Sequence, residues 1–201
     1  FNCGHELNTA QWFEEAVNLG MSVELEIAAL ARTIDALVKN GDTNLKVSVN
    51  VSPDTLMNAA LMSTRAPIDL SRVVIEITEH AQIHDYEQTK AAIARLRKSG
   101  ARLAIDDAGA GFASLRHILD LMPDMIKLDI TLVQGIDHDQ PRRALAAGLI
   151  SFANEIGAAI VAEGIETPEE LECLRKLGVH LGQGYILARP APLADVLAAK
   201  I

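Results

Sequence analysis

Six short apolar runs, each closing on polar or charged residues, constrain the fold of this chain more than any other feature. They are Val47–Asn50, Val73–Glu76, Leu103–Asp107, Met125–Asp129, Ile160–Glu163 and Val179–Gln183. Runs this short, rich in Val, Ile and Leu, suit strands buried on both faces, and the stretches between them are long enough for crossover helices. Strands joined in that way form a parallel sheet through right-handed βαβ units. Such a sheet gathers the C-terminal ends of its strands at one mouth, where loops and strand-end side chains build the site. Four carboxylates, an amide, a lysine and a glutamine would converge there.

The stretches between the runs carry helix signals. Residues 9–40 read as two helical segments meeting near Gly20, with Ala10, Phe13, Ala16 and Val17 followed by Leu25, Ala28, Ala29, Arg32 and Ala36. Ser52-Pro53 is an N-cap with proline at the first helical position. A helix over 87–99 stops at Gly100, a natural C′ residue. Asp139-Gln-Pro141 opens a helix with Leu145, Leu149, Phe152 and Ile156 on one face, and Thr167-Pro168-Glu169-Glu170 is a capping box that starts another, ending at Gly178.

Length and composition bound the answer. The 201 residues suit a single α/β domain over 1–201, and 49% hydrophobic residues with only 3% aromatics give a core of Leu, Ile, Val and Ala. A closed (β/α)8 barrel typically takes about 250 residues, so either the sheet is open or the chain lacks a barrel's first two strands. The segment Phe1–His5 brings no strand of its own, which favours the second. A formal charge of −9 argues against binding DNA or other long nucleic acid through a basic surface. It leaves room for a small phosphorylated ligand, since bound divalent metal can reverse the local field. No apolar run approaches the roughly 20 residues that span a bilayer, so no membrane contact is expected of this segment. Cys3 and Cys173 are far apart and lack metal-ligand spacing, as reduced thiols of a cytoplasmic protein would.

Asp106-Asp107 is the sharpest chemical item. Neighbours on a strand point to opposite faces, so both acids reach one site only if the strand ends there and turns, and Gly109-Ala-Gly111 supplies a turn. Glu76 alternates with Ile75 and Ile77, which puts a carboxylate in a barrel interior or at its rim, where a metal or lysine removes the cost of burial. Asn50 ends the preceding strand and offers a neutral oxygen ligand for Mg2+ or Mn2+. Lys127 needs carboxylates nearby, and the preceding strand offers Asp107. Glu163 and Glu166 repeat the strand-end theme, and Gln183 adds an amide beside Gly184. The set suits two-metal hydrolysis of a phosphodiester, with ions about 3.5–4 Å apart. Enolisation on an acidic Mg2+ barrel with a lysine base would use similar residues, but the adjacent aspartates and the asparagine favour hydrolysis.

At these positions the sequence resembles the EAL-domain family, the cyclic di-GMP phosphodiesterases of bacterial signalling. The matching stretches are Ser48–Ser52, Glu76–Glu79, Asp106–Gly111, Lys127–Asp129, Val161–Thr167, and Gln183–Tyr185 with Arg189–Pro192, in family order and spacing from about residue 9 onward. The resemblance implies a modified (β/α)8 barrel, here without its first two strands, that hydrolyses cyclic di-GMP to linear pGpG with Mg2+ or Mn2+. It implies that Asn50, Glu76, Asp106 and Asp107 bind metal and that Lys127 and Glu163 hold or deprotonate the attacking water. Glu166 and Gln183 resemble further site residues, and Glu79 resembles the glutamate that anchors the loop after the aspartates. The resemblance also implies a homodimer through that loop, and sensory or cyclase domains elsewhere in a regulator whose output acts in the cytoplasm.

Two departures qualify the expectation. The glutamate of the Glu-Ala-Leu signature stands upstream of Phe1 in the family. A protein lacking it would lose one metal ligand and become a cyclic di-GMP receptor or inactive scaffold. The family also commonly has Phe and Thr where this chain has Ala108 and Ala110, so Glu79 loses a hydroxyl partner and a modified loop is expected.

Overall fold

In the computed structural model, residues 8–40, 45–58, 70–78, 81–109 and 113–198 are described. The elements are α1 (Thr9–Asn18), α2 (Ser22–Asn40), β1 (Val47–Asn50), α3 (Pro53–Met57), β2 (Val73–Thr78), α4 (Tyr86–Lys98), β3 (Arg102–Ala108), α5 (Ala113–Leu121), β4 (Met125–Leu128), α6 (Ile130–Val133), α7 (Gln140–Ile156), β5 (Ala159–Ala162), α8 (Pro168–Lys176), β6 (Leu181–Gly182) and α9 (Leu193–Ala198). The six strands form one sheet in chain order, as successive βαβ crossovers of one hand require. The chain divides into two compact units, residues 1–104 and 105–201.

In the first unit β1 and β2 pair in parallel, with Asn50 opposite Glu76. Strand β2 is buried on both faces: Val73, Ile75 and Ile77 are 3% exposed or less, and Glu76, which alternates with them, is only 5% exposed. The core is completed by Leu30, Ile34 and Leu37 of α2, Leu56 of α3, and Ile93 and Leu96 of α4. The anticipated break near Gly20 is real, with α1 ending at Asn18 and α2 starting at Ser22. Ser52 caps α3 through a bond from the Thr55 N–H, with Pro53 at the first position. Gly100 takes φ +95° after α4 and is packed against the Ser71 backbone, so the turn into β3 is open only to glycine.

In the second unit β4, β5 and β6 pair in parallel, over a core that includes Ile105, Ile118, Ile126, Leu128, Ile136, Ile165 and Leu174. The capping box at Thr167 and Glu170 is formed, and Asp139 caps α7 with proline in its first turn. The last run, read as Val179–Gln183, is a strand only over Leu181–Gly182. Among the described residues, no helix is long and apolar enough to cross a membrane.

Candidate active site

Backbone hydrogen bonds carry the ladder past the formal strand ends and fix which side chains become neighbours. In the second unit the Asp129 N–H donates to Ala108 O (3.1 Å), that of Glu163 to Leu128 O (3.1 Å), and that of Gln183 to Ala162 O (2.8 Å). Each post-strand residue is thus held against the end of the strand before it. Residue order alone therefore brings Asp106, Lys127, Glu163 and Gln183 together.

Lys127 Nζ lies 2.9 Å from Asp106 Oδ1 and 2.7 Å from Glu163 Oε1, and the three side chains are only 10–13% exposed. Two carboxylates and one ammonium at this depth stabilise one another, whereas any one of them alone would carry a large desolvation cost. Gln183 Nε2 donates to the same Glu163 Oε1 at 2.5 Å. Glu163 is oriented by a cation and an amide together. Lys127 was expected to need carboxylates nearby, with Asp107 offered by the preceding strand; Asp106 of that strand and Glu163 after the next strand form ion pairs with it.

Both aspartates do serve one place. Asp107 takes φ +59°, a left-handed backbone uncommon for a residue other than glycine, and its N–H is held by Asp106 Oδ1 at 3.0 Å. The turn was expected from the glycines that follow; it begins in Asp107 itself. As a result Asp106, Asp107 and Glu163 each present a carboxylate oxygen, all within 4.8 Å of one another. Three hard oxygen donors so grouped fit a divalent cation such as Mg2+ or Mn2+.

Asn50 and Glu76, paired in register in the first unit, line a cavity of about 800 Å3 together with Glu26, Ser52, Thr78 and His84. Glu26 accepts the Ser52 N–H at 2.7 Å, which steadies the turn after Asn50. Glu166 is exposed and lines a second cavity of about 460 Å3 with Gln183, Gly184, Tyr185 and Arg189. The Arg189 guanidinium stacks over the Tyr185 ring at 4.4 Å, a contact worth about 0.5–1 kcal/mol at an exposed site. Glu79, and residues 110–112 of the loop after Asp107, lie outside the described residues.

Two glycines allow the loops after β5 and β6 to close on their neighbours. A Cβ at Gly164 would run into the Ile130 side chain, and one at Gly184 would collide with the Ile165 backbone. That second approach lets the Ile165 N–H reach Gln183 O (3.1 Å) and holds Gln183 beside Glu163. Asp129 ends an apolar run, but its role is to cap α6 by accepting the Thr131 N–H at 2.8 Å. Glu170 was legible only as part of a capping box; its carboxylate also accepts N–H groups from Gly135 and Glu166. No local signal could reveal a partner 35 residues away.

Residues 3–190 match the family model described as the EAL domain. The chain is 34% identical over 169 residues to the cyclic di-GMP phosphodiesterase NbdA of Pseudomonas aeruginosa, covering 81% of this chain and 22% of NbdA. It is 32% identical over 187 residues to the cyclic di-GMP phosphodiesterase RocR of the same organism, covering 90% of this chain and 45% of RocR. Its fold superposes on Klebsiella pneumoniae BlrP1 in complex with manganese and cyclic di-GMP with a TM-score of 0.78 at 28% identity, covering 85% of this chain and 45% of that one. The chain thus spans less than half the length of these relatives.

Proposed function

We propose that this chain, which belongs to the EAL domain family, hydrolyses one phosphodiester bond of cyclic di-GMP to give linear pGpG. The observation that carries the reading is Lys127 held between Asp106 and Glu163, with Asp107 adding a third carboxylate to the group. Two relatives are named for this activity, and a structural neighbour binds both manganese and the dinucleotide.

Asp106 and Asp107 would hold the divalent cation with Asn50 and Glu76, the last two carried over from the family motif, and Glu163 completes the set. When bound there, the cation would supply Lewis acidity towards the attacking water and the phosphoryl oxygens. Glu163, oriented by Lys127 and Gln183, accepts a proton from the attacking water. Lys127 keeps Asp106 and Glu163 apart and lowers the cost of their shared burial. The new P–O bond forms as the P–O3′ bond breaks, and the released 3′ oxygen takes up a proton. Glu166, Tyr185 and Arg189 line the space beside Gln183 and are assigned to the dinucleotide. Glu79 is assigned to anchoring the loop after Asp107, and a homodimer through that loop belongs to the same reading.

Both compact units would act as one domain, which is supported by a family match that runs through both of them. The bifunctional cyclase and phosphodiesterase MucR of Pseudomonas aeruginosa, 28% identical over 165 residues, carries a further activity on the same chain. An output module working in the cytoplasm beside other domains fits that setting.

The test is turnover in the full-length protein with Mn2+ present. Glu163→Gln or Lys127→Ala should cut pGpG release by at least about a hundredfold, the usual scale for losing a positioned general base. Undiminished release from either variant would refute the assigned roles. Dinucleotide that binds to the wild type and is recovered intact would replace the enzyme with a receptor.

A further inference from the structure

We infer that Glu170, outside the reacting cluster, is a positioning residue that locks the loop after β5 to the turn after α6 and so sets the placement of Glu163. This rests on the hydrolase reading above. Glu170 is 5% exposed. One of its oxygens, Oε1, accepts the Gly135 N–H at 2.8 Å; the other, Oε2, accepts those of Glu166 at 2.9 Å and Thr167 at 3.1 Å. An ordinary capping box would account for Thr167 alone. The bonds to Gly135 and Glu166 join two segments that no strand ladder connects.

Those segments are the ones that matter for the reacting groups. Gly135 closes the turn after α6, whose cap Asp129 stands two residues beyond Lys127. Glu166 and Thr167 close the loop that begins at Glu163. Gly164 sits against Ile130 of α6 so closely that a side chain there would collide with it. Steric contact at one end of the loop and the Glu170 carboxylate at the other leave the segment 163–167 little freedom. The Lys127 to Glu163 distance of 2.7 Å depends on that restraint.

The experiment compares the full-length wild type with Glu170→Ala, Glu170→Gln and the exposed neighbour control Glu169→Ala. Turnover of cyclic di-GMP with Mn2+, thermal unfolding and amide hydrogen exchange are read together. Glu170→Ala should lower kcat by about ten- to a hundredfold with KM within about twofold, as a small misplacement of a reacting group does. Exchange at residues 133–137 and 163–167 should accelerate together, while Glu169→Ala changes neither reading. An unchanged kcat with a lowered Tm would reduce Glu170 to a helix cap and overturn the inference. If the wild type shows no turnover, the hydrolase reading fails and exchange decides alone: joint loosening keeps the lock, and loosening at 166–167 without Gly135 overturns it. If Glu170→Ala does not fold, Glu170→Gln takes its place. Its one carbonyl can serve Gly135 or the Glu166–Thr167 pair but not both, so one segment should loosen, and two unaltered segments would overturn the inference.

Discussion

Helices α4 and α8 both start on acids that receive backbone N–H groups, yet the two starts are built for different purposes. Asp85 caps α4 by accepting the Gln88 N–H at 3.0 Å and the Gln88 side-chain amide at 2.9 Å, all within one turn and in contact with solvent. Glu170 of α8 is buried and bonds backbone that is 3, 4 and 35 residues away. The Gln88 N–H bond holds the Asp85 carboxyl below its ordinary 3.8. Burial pushes Glu170 up, but the hydrogen bonds from Gly135, Glu166 and Thr167 together outweigh it and hold the group below its ordinary 4.5. The same capping chemistry is a local courtesy to one helix in the first case. In the second it is a tertiary link, because the buried Glu170 carboxylate also reaches the N–H of Gly135 in a second loop.

The contrast can be broken most sharply at Glu170. Glu170→Ala leaves three part-buried backbone donors without their acceptor, so unfolding by urea should show a loss of about 1–3 kcal/mol. A loss too small to measure would mean that α8 starts no differently from α4. Next in size is the response to acid. The unfolded chain takes up a proton near 4.5 while folded Glu170 resists it to lower pH. Its contribution is therefore complete above 4.5 and is lost as pH falls through the folded value. Wild-type Tm should fall more steeply below 4.5 than that of Glu170→Gln, and parallel curves would show that the charge does not matter. The smallest effect belongs to Asp85→Ala, which should lower Tm slightly and leave exchange at Gly135 and Glu166 as in the wild type. The share of Asp85 in the acid response should set in only below 3.8.

Much of this architecture is legible in the chain because the signals are local. The strand runs, the break near Gly20, the Ser52 cap and the Thr167 capping box all depend on residues within a few positions of one another. The grouping of Asp106, Lys127 and Glu163 follows from strand order, since parallel ladders bring successive strand ends side by side. Alternation could not bring both adjacent aspartates to one place because it assumes extended backbone, and Asp107 departs from it at φ +59°. Asp129 read as one more strand-end acid because α6 is a single turn of four residues and leaves no periodic trace. The long bond from Glu170 to Gly135 had no sequence signature at all, since capping chemistry at position 170 looks the same with or without it.

The glycines at 164 and 184 also determine where this protein can vary. A side chain at either would collide with Ile130 or with the Ile165 backbone, so both positions are closed to substitution without displacing a loop. Glu166, Tyr185 and Arg189 are exposed around the same 460 Å3 cavity and carry no such restriction. On the proposed hydrolase reading, libraries aimed at changing which dinucleotide is accepted would therefore spend their diversity on those three positions and keep the two glycines as fixed points of the scaffold.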